Sequence, residues 1–194
     1  SIYDYRNNSL LSKIDKFPPL NPMAILHAMA PHGYFGNTSR IENALRRAVK
    51  DGALRVLVIG GSVPAGWSLK DRSERWSDQL QKFLQTSFAA VLHKENNLTV
   101  QVLNIAKGGT PSIAQARGFF PEYVSVVRSS HIIIVDISVN DRAEPLDTNY
   151  SEWRELMELL LDESSDSTGL LYFETYSFSY FSFTPNTDND EAYY

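Results

Sequence analysis

The sequence predicts an α/β fold, a parallel β-sheet covered by helices on both faces. Two observations carry that expectation. Four β-rich segments, "RVLVI" (55–59), "LTVQVLNIA" (98–106), "HIIIVDIS" (131–138) and "GLLYFETYSF" (169–178), alternate with helical stripes. A β-α-β-α-β-α-β order of this kind implies parallel strands with helices crossing over them. The third segment is also nearly continuous Ile and Val, the mark of a strand buried on both faces.

The elements follow in order. Residues 1–37 read as an irregular arm, with turn chemistry in "KFPPLNP" (16–22) and "APHGYFGN" (30–37). Ser39 and Glu42 have capping-box spacing, Ile41, Leu45, Ala48 and Val49 share one helical face, and Gly52 supplies the stop. After the first strand, Trp76, Leu80, Phe83, Leu84 and Val91 mark a long amphipathic helix over 72–93. Residues 111–128 predict a helix broken at Gly118 and Pro121. Trp153, Leu156, Leu160 and Leu161 form a further stripe before the fourth strand. The chain thus divides into an arm (1–37), an α/β domain (38–178) and an irregular, aromatic and polar tail (179–194).

Bulk properties narrow the function. A formal net charge of −5 gives no reason to expect a nucleic-acid partner. No apolar run approaches the roughly 18 residues that a membrane span needs. With no cysteine in 194 residues, disulfides, thiolate catalysis and Cys-based zinc sites are excluded. No His pair has metal-ligand spacing with a third ligand, so no metal site is expected, and nothing in the sequence suggests a cofactor. Sequons at Asn7, Asn37, Asn97 and Asn149 lean towards a secreted or lumenal protein. The chain opens on Ser1 rather than Met, which leaves room for an upstream segment.

In parallel sheets, sites form beyond the C-terminal ends of the strands. Three loops there carry unusual chemistry: "GGSVPAG" (60–66), "NIAKGGTPS" (104–112) and "SVND" (138–141). The first loop has four readings. A phosphate loop is opposed by Trp67, which stands where the motif needs lysine. A dinucleotide turn is opposed by Ser62 and Ala65 at glycine positions, and by Asn104 where an acid should end the second strand. A plain connection fits the loop taken alone. A nucleophilic serine fits all three loops together, because acyl transfer needs donors aimed at a developing oxyanion. Glycine backbone N–H groups at Gly108 and Gly109 and the amide of Asn140 would supply those donors.

"IGGSVPAG", "NIAKGGT" and "ISVND" resemble blocks I, II and III of the SGNH (GDSL-type) hydrolases. "YSEWRELMELLL" followed by "GLLYFETYSF" resembles a eukaryotic, algal or fungal-like branch of that superfamily. The likeness covers residues 45–180, with Gly61 where the family has Asp and Ser138 where Gly is usual. It implies a three-layer α/β/α flavodoxin-like fold and an acyl-ester hydrolase. By motif match Ser62 would be the nucleophile and first oxyanion donor, Gly109 the second donor and Asn140 the third. The implied substrate is a small-molecule, carbohydrate or lipid acyl ester.

The family's fourth block, Asp-x-x-His, is missing from this sequence, as is a fifth strand, so the fold is expected to be incomplete at its C-terminus. Among the four histidines, His131 begins the third strand, at the edge opposite the site, and His93 reads as a helix C-cap. His27 and His32 lie in the arm. Without a base Ser62 is a weak nucleophile, which leaves three explanations open: a fragment, a binding module on the same scaffold, or an unusual base. Asp136 is expected to accept hydrogen bonds from a neighbouring loop, and Asp141 to brace its own. Trp67 reads either as a cleft wall or as core.

Overall fold

The computed structural model describes residues 38–88, 98–137, 140–141 and 151–173. The arm 1–37, His27, His32, His93, Ser138 and the tail 179–194 lie outside the described residues. Helix α1 (Ser39–Asp51) leads into strand β1 (Ala53–Gly60) through Gly52, whose φ of 65° suits the left-handed stop expected of it. A short helix α2 (Ser62–Ala65) follows, then helix α3 (Trp76–Phe83), which runs on as a π turn over Leu84–Phe88. Strand β2 (Thr99–Asn104) leads to α4 (Ser112–Ala114), a π turn (Gln115–Phe119) and α5 (Phe120–Ser129). Strand β3 (Ile132–Asp136), helix α6 (Ser151–Glu163) and strand β4 (Gly169–Phe173) complete the described elements.

The sheet is parallel throughout, in the order β2-β1-β3-β4. This is the flavodoxin-type winding, in which the strand order reverses next to β1. The register pairs Val58 with Asn104, and Gly60 with Asp136. The three site loops therefore leave the sheet at neighbouring positions. The expected break in the helix over 111–128 is present as the π turn containing Gly118, with Pro121 placed at the start of α5, where its missing N–H costs nothing.

Alternation along β1 and β3 sorts the core into two layers. Leu57, Ile59, Ile133 and Val135 face Phe120, Tyr123 and Val127 of α5 and Leu156 and Leu160 of α6. Val56, Val58 and Ile134 face Ala48 of α1 and Trp76 and Leu80 of α3. Burying each such Leu, Ile or Phe contributes about 1.5–3 kcal/mol. These two clusters, rather than helix propensity, hold the short helices in place.

The N-terminal edge of the sheet is closed by α1. Arg40 Nε donates to the Thr168 carbonyl at 3.0 Å, and the Arg47 guanidinium donates to the Ser130 carbonyl and to Ser167 Oγ. Between them His131 is fully buried. Its Nδ1 accepts from the Arg55 N–H at 3.0 Å, so the ring proton sits on Nε2, 3.0 Å from Asp51 Oδ2. A second ring proton would have to displace the Arg55 bond. Burial lowers the His131 pKa, against the hydrogen bond that the ring donates to the Asp51 carboxylate, with Arg47 and Arg55 adding repulsion. The unfolded chain, with an ordinary His pKa near 6.5, therefore binds the proton first. Stability is full above about pH 6.5 and is lost as pH falls towards the folded-state value. The urea midpoint is expected to drop between pH 7.5 and 5.5, and His131→Gln is expected to flatten that drop. An equal drop in the variant would assign it to another group.

Candidate active site

The first loop is built by two glycines with different duties. At Gly60 an added Cβ would lie 2.3 Å from the Asp136 carbonyl oxygen and 2.3 Å from Pro64 Cγ. At Gly61 it would lie 1.6 Å from Asn140 Oδ1. Gly61 N–H donates to the Asp136 carbonyl at 3.1 Å, which fixes the chain just before Ser62. Ser62 then opens α2, half-buried at the sheet's C-terminal edge.

The second loop is tied to the first through the Gly60 carbonyl. That oxygen accepts from the Lys107 N–H at 3.0 Å and from Gln115 Nε2 at 3.2 Å. Gln115 Nε2 also donates to Thr110 Oγ1 at 2.9 Å, and the Tyr123 hydroxyl donates to the Gln115 carbonyl at 3.3 Å. Burial pushes the Tyr123 phenol up, so it stays a neutral donor. Asn104, which spoiled the dinucleotide reading, donates to the Pro64 carbonyl at 2.6 Å and accepts from the Ala106 N–H at 2.9 Å. It clamps the loop after β2 onto the turn after β1. Gly109 holds a left-handed φ of 74° with open space around its α-carbon. Its neighbour Gly108 faces Ser62, whose Cα lies 4.0 Å from the position of an added Cβ.

The third loop brings Asn140 across. Asn140 N–H turns back to the Ile137 carbonyl at 2.8 Å, and its Oδ1 accepts from the Ser62 N–H at 3.4 Å. Asp141 points the other way. Its carboxylate accepts from the Ser112 N–H at 2.6 Å and from the Ser112 hydroxyl. Pro111, at the N-cap of α4, makes no side-chain cap, so Asp141 supplies one from another loop. The carboxylate expected to brace its own loop thus ties that loop to the start of α4.

Ser62, the Gly108–Gly109 pair and Asn140 therefore share one corner of the sheet. His131 does not join them, lying at the opposite strand ends beside Asp51. Asp136 accepts from Trp76 Nε1, at the start of α3, at 3.1 Å. Trp67 is 75% exposed, which removes the core reading. Gln115 is the site-building residue that sequence reasoning missed. Its one signal is a polar side chain between Ala114 and Ala116, four residues before Phe119. Among the described residues no three His, Asp or Glu gather as metal ligands, and no helix is long and apolar enough to cross a membrane.

No family model matches the chain, and no curated protein matches it. Solved structures do. A two-domain esterase active on acetylated mannans, crystallised with mannopentaose, superposes with a TM-score of 0.53 at 18% identity, covering 71% of this chain and 34% of that one. This chain shares the fold of that esterase over the matched part. A second structure of an esterase described in the same words gives 0.51, also at 18% identity, over 71% of this chain and 34% of that one. The SGNH-hydrolase family esterase AlinE4 gives 0.42 at 15% identity, over 73% of this chain and 86% of that one. The present chain thus spans about a third of the two-domain esterase.

Proposed function

We propose that this chain is an SGNH-type acyl-ester hydrolase domain with Ser62 as nucleophile. The observation that carries the reading is the convergence of three separate loops on Ser62, with Asn140 Oδ1 3.4 Å from its backbone nitrogen. The Ser62 hydroxyl attacks the ester carbonyl, and its proton leaves to a base. The carbonyl oxygen, now an anion, takes hydrogen bonds from the Ser62 N–H, the Gly109 N–H and the Asn140 amide nitrogen. The bond from Ser62 N–H to Asn140 is long, and an oxyanion outcompetes it because charge-assisted bonds are about twice as strong. Collapse expels the alcohol, and water releases the acid from the acyl-enzyme.

The base in this reading is a histidine of an Asp-x-x-His block, which these 194 residues do not contain. A second reading is a binding module on the same scaffold, which a verified stop directly after Tyr194 would support. The algal or fungal-like branch rests on "YSEWRELMELLL" and "GLLYFETYSF" and is part of the proposal.

Expressed from its complete reading frame, the protein is expected to hydrolyse p-nitrophenyl acetate, and Ser62→Ala is expected to lower kcat by roughly 10⁴-fold or more. Unchanged turnover in that variant sinks the assignment. The 194 residues alone are expected to be slower by a similar factor, because triad members act as a unit. Full turnover from them would move the base to His27 or His32.

A further inference from the structure

Trp67 sits immediately after the helix that carries Ser62, and its placement is built rather than incidental. Its N–H donates to the Ser62 carbonyl at 2.9 Å. Gly66 before it and Ser68 after it both have left-handed φ, 77° and 72°. The glycine is an ordinary helix stop. The serine is not: among the described residues it is the non-glycine with positive φ, a strained conformation. Between these two bends the indole lies over Gly108, where an added Cβ would meet Trp67 Cε3 at 3.2 Å. The same point is 4.0 Å from Ser62 Cα. The ring and the serine therefore flank one glycine, and the ring remains 75% exposed.

A large apolar ring left this open beside a nucleophile needs an occupant with one flat apolar face and one hydrated face. An alkyl chain laid on a single open indole would keep most of its surface in water, so its transfer gain would be small. A pyranose fits, because its C–H face covers the ring while its hydroxyls stay solvated. We propose that Trp67 is the platform for the alcohol side of the substrate and that this alcohol is a sugar, so the ester is an O-acylated carbohydrate. This rests on the ester-hydrolase reading, and the test separates the two.

The 194-residue chain and its Ser62→Ala variant are titrated with partly O-acetylated xylo-oligosaccharides, followed by indole fluorescence and calorimetry. Saturable binding is expected to both. Trp67→Ala is expected to weaken it by about tenfold, and Trp67→Phe by no more than about threefold. Far-UV circular dichroism checks that the variants fold. The absence of saturable binding to the parent chain, or equal affinity in Trp67→Ala, overturns the proposal. So does a loss of sodium octanoate binding in Trp67→Ala while the oligosaccharide is held as before, which would make the ring an acyl platform. If Ser62→Ala leaves ester turnover of the complete protein intact while oligosaccharide binding still depends on Trp67, the hydrolase reading fails and the sugar platform stands.

Discussion

Gly60→Ala is expected to cost the domain at least about 3 kcal/mol, measured as a fall in the urea midpoint. The new methyl would meet the Asp136 carbonyl oxygen at 2.3 Å, and that atom belongs to the backbone of the neighbouring strand. It cannot swing aside without breaking the pairing of Gly60 with Asp136 in the centre of the sheet. Pro64 Cγ, on the ring that shapes the start of α2, blocks the other side at 2.3 Å. The same substitution at Gly118, which has nothing within 4 Å of an added Cβ, is expected to be neutral or mildly stabilising. Equal midpoints for the two variants would show that β1 and β3 are not locked together at this point.

Gly61→Ala, one residue on, is expected to do the reverse and spare the fold while disabling the site. Its methyl would meet Asn140 Oδ1 at 1.6 Å, the end of a side chain rather than a backbone atom. Asn140 must turn away, and the contact with the Ser62 N–H at 3.4 Å goes with it. Loss of one oxyanion donor typically costs about 100-fold or more in kcat. The complete protein carrying Gly61→Ala is therefore expected to keep its urea midpoint within about 0.5 kcal/mol of the parent and to lose ester turnover on that scale. Retained turnover would remove Asn140 from the chemistry. The comparison also gives a physical meaning to the family difference at this position. Gly61 stands where the resemblance places Asp, and the space that a side chain would fill is taken here by Asn140.

The layered architecture was legible because it rests on local patterns. Uninterrupted Ile and Val in "HIIIV", and helical spacing of Leu156 and Leu160, are visible without knowing what they touch. The three loops were legible for the same reason, since Gly60 ends the first strand, Gly61 follows it, and Gly108 and Gly109 lie in the loop after the second. What could not be read was partnership across the chain. Gln115 is an ordinary polar residue until the Gly60 carbonyl, 55 positions away, arrives beside it. Asp141 caps a helix that begins 29 residues earlier. Trp67 divided evenly between wall and core because exposure is set by the loops around it, not by the residues next to it. Nor could the sequence show that Asp136 takes a hydrogen bond from Trp76, 60 positions earlier, since a buried carboxylate takes whichever N–H the packing brings.

The pairing of β1 with β3 has a kinetic consequence. Gly61 is seated by the carbonyl of Asp136, a residue 75 positions later in the chain. Parallel pairings at such separations form slowly, because a long loop must close before any contact rewards it. Helix α2 is a single turn and has no means of persisting before that closure. The serine's surroundings are thus assembled in the same cooperative step as the central sheet. Partly folded forms of the chain present an unstructured Ser62, and whatever reactivity this residue has emerges only when folding is finished.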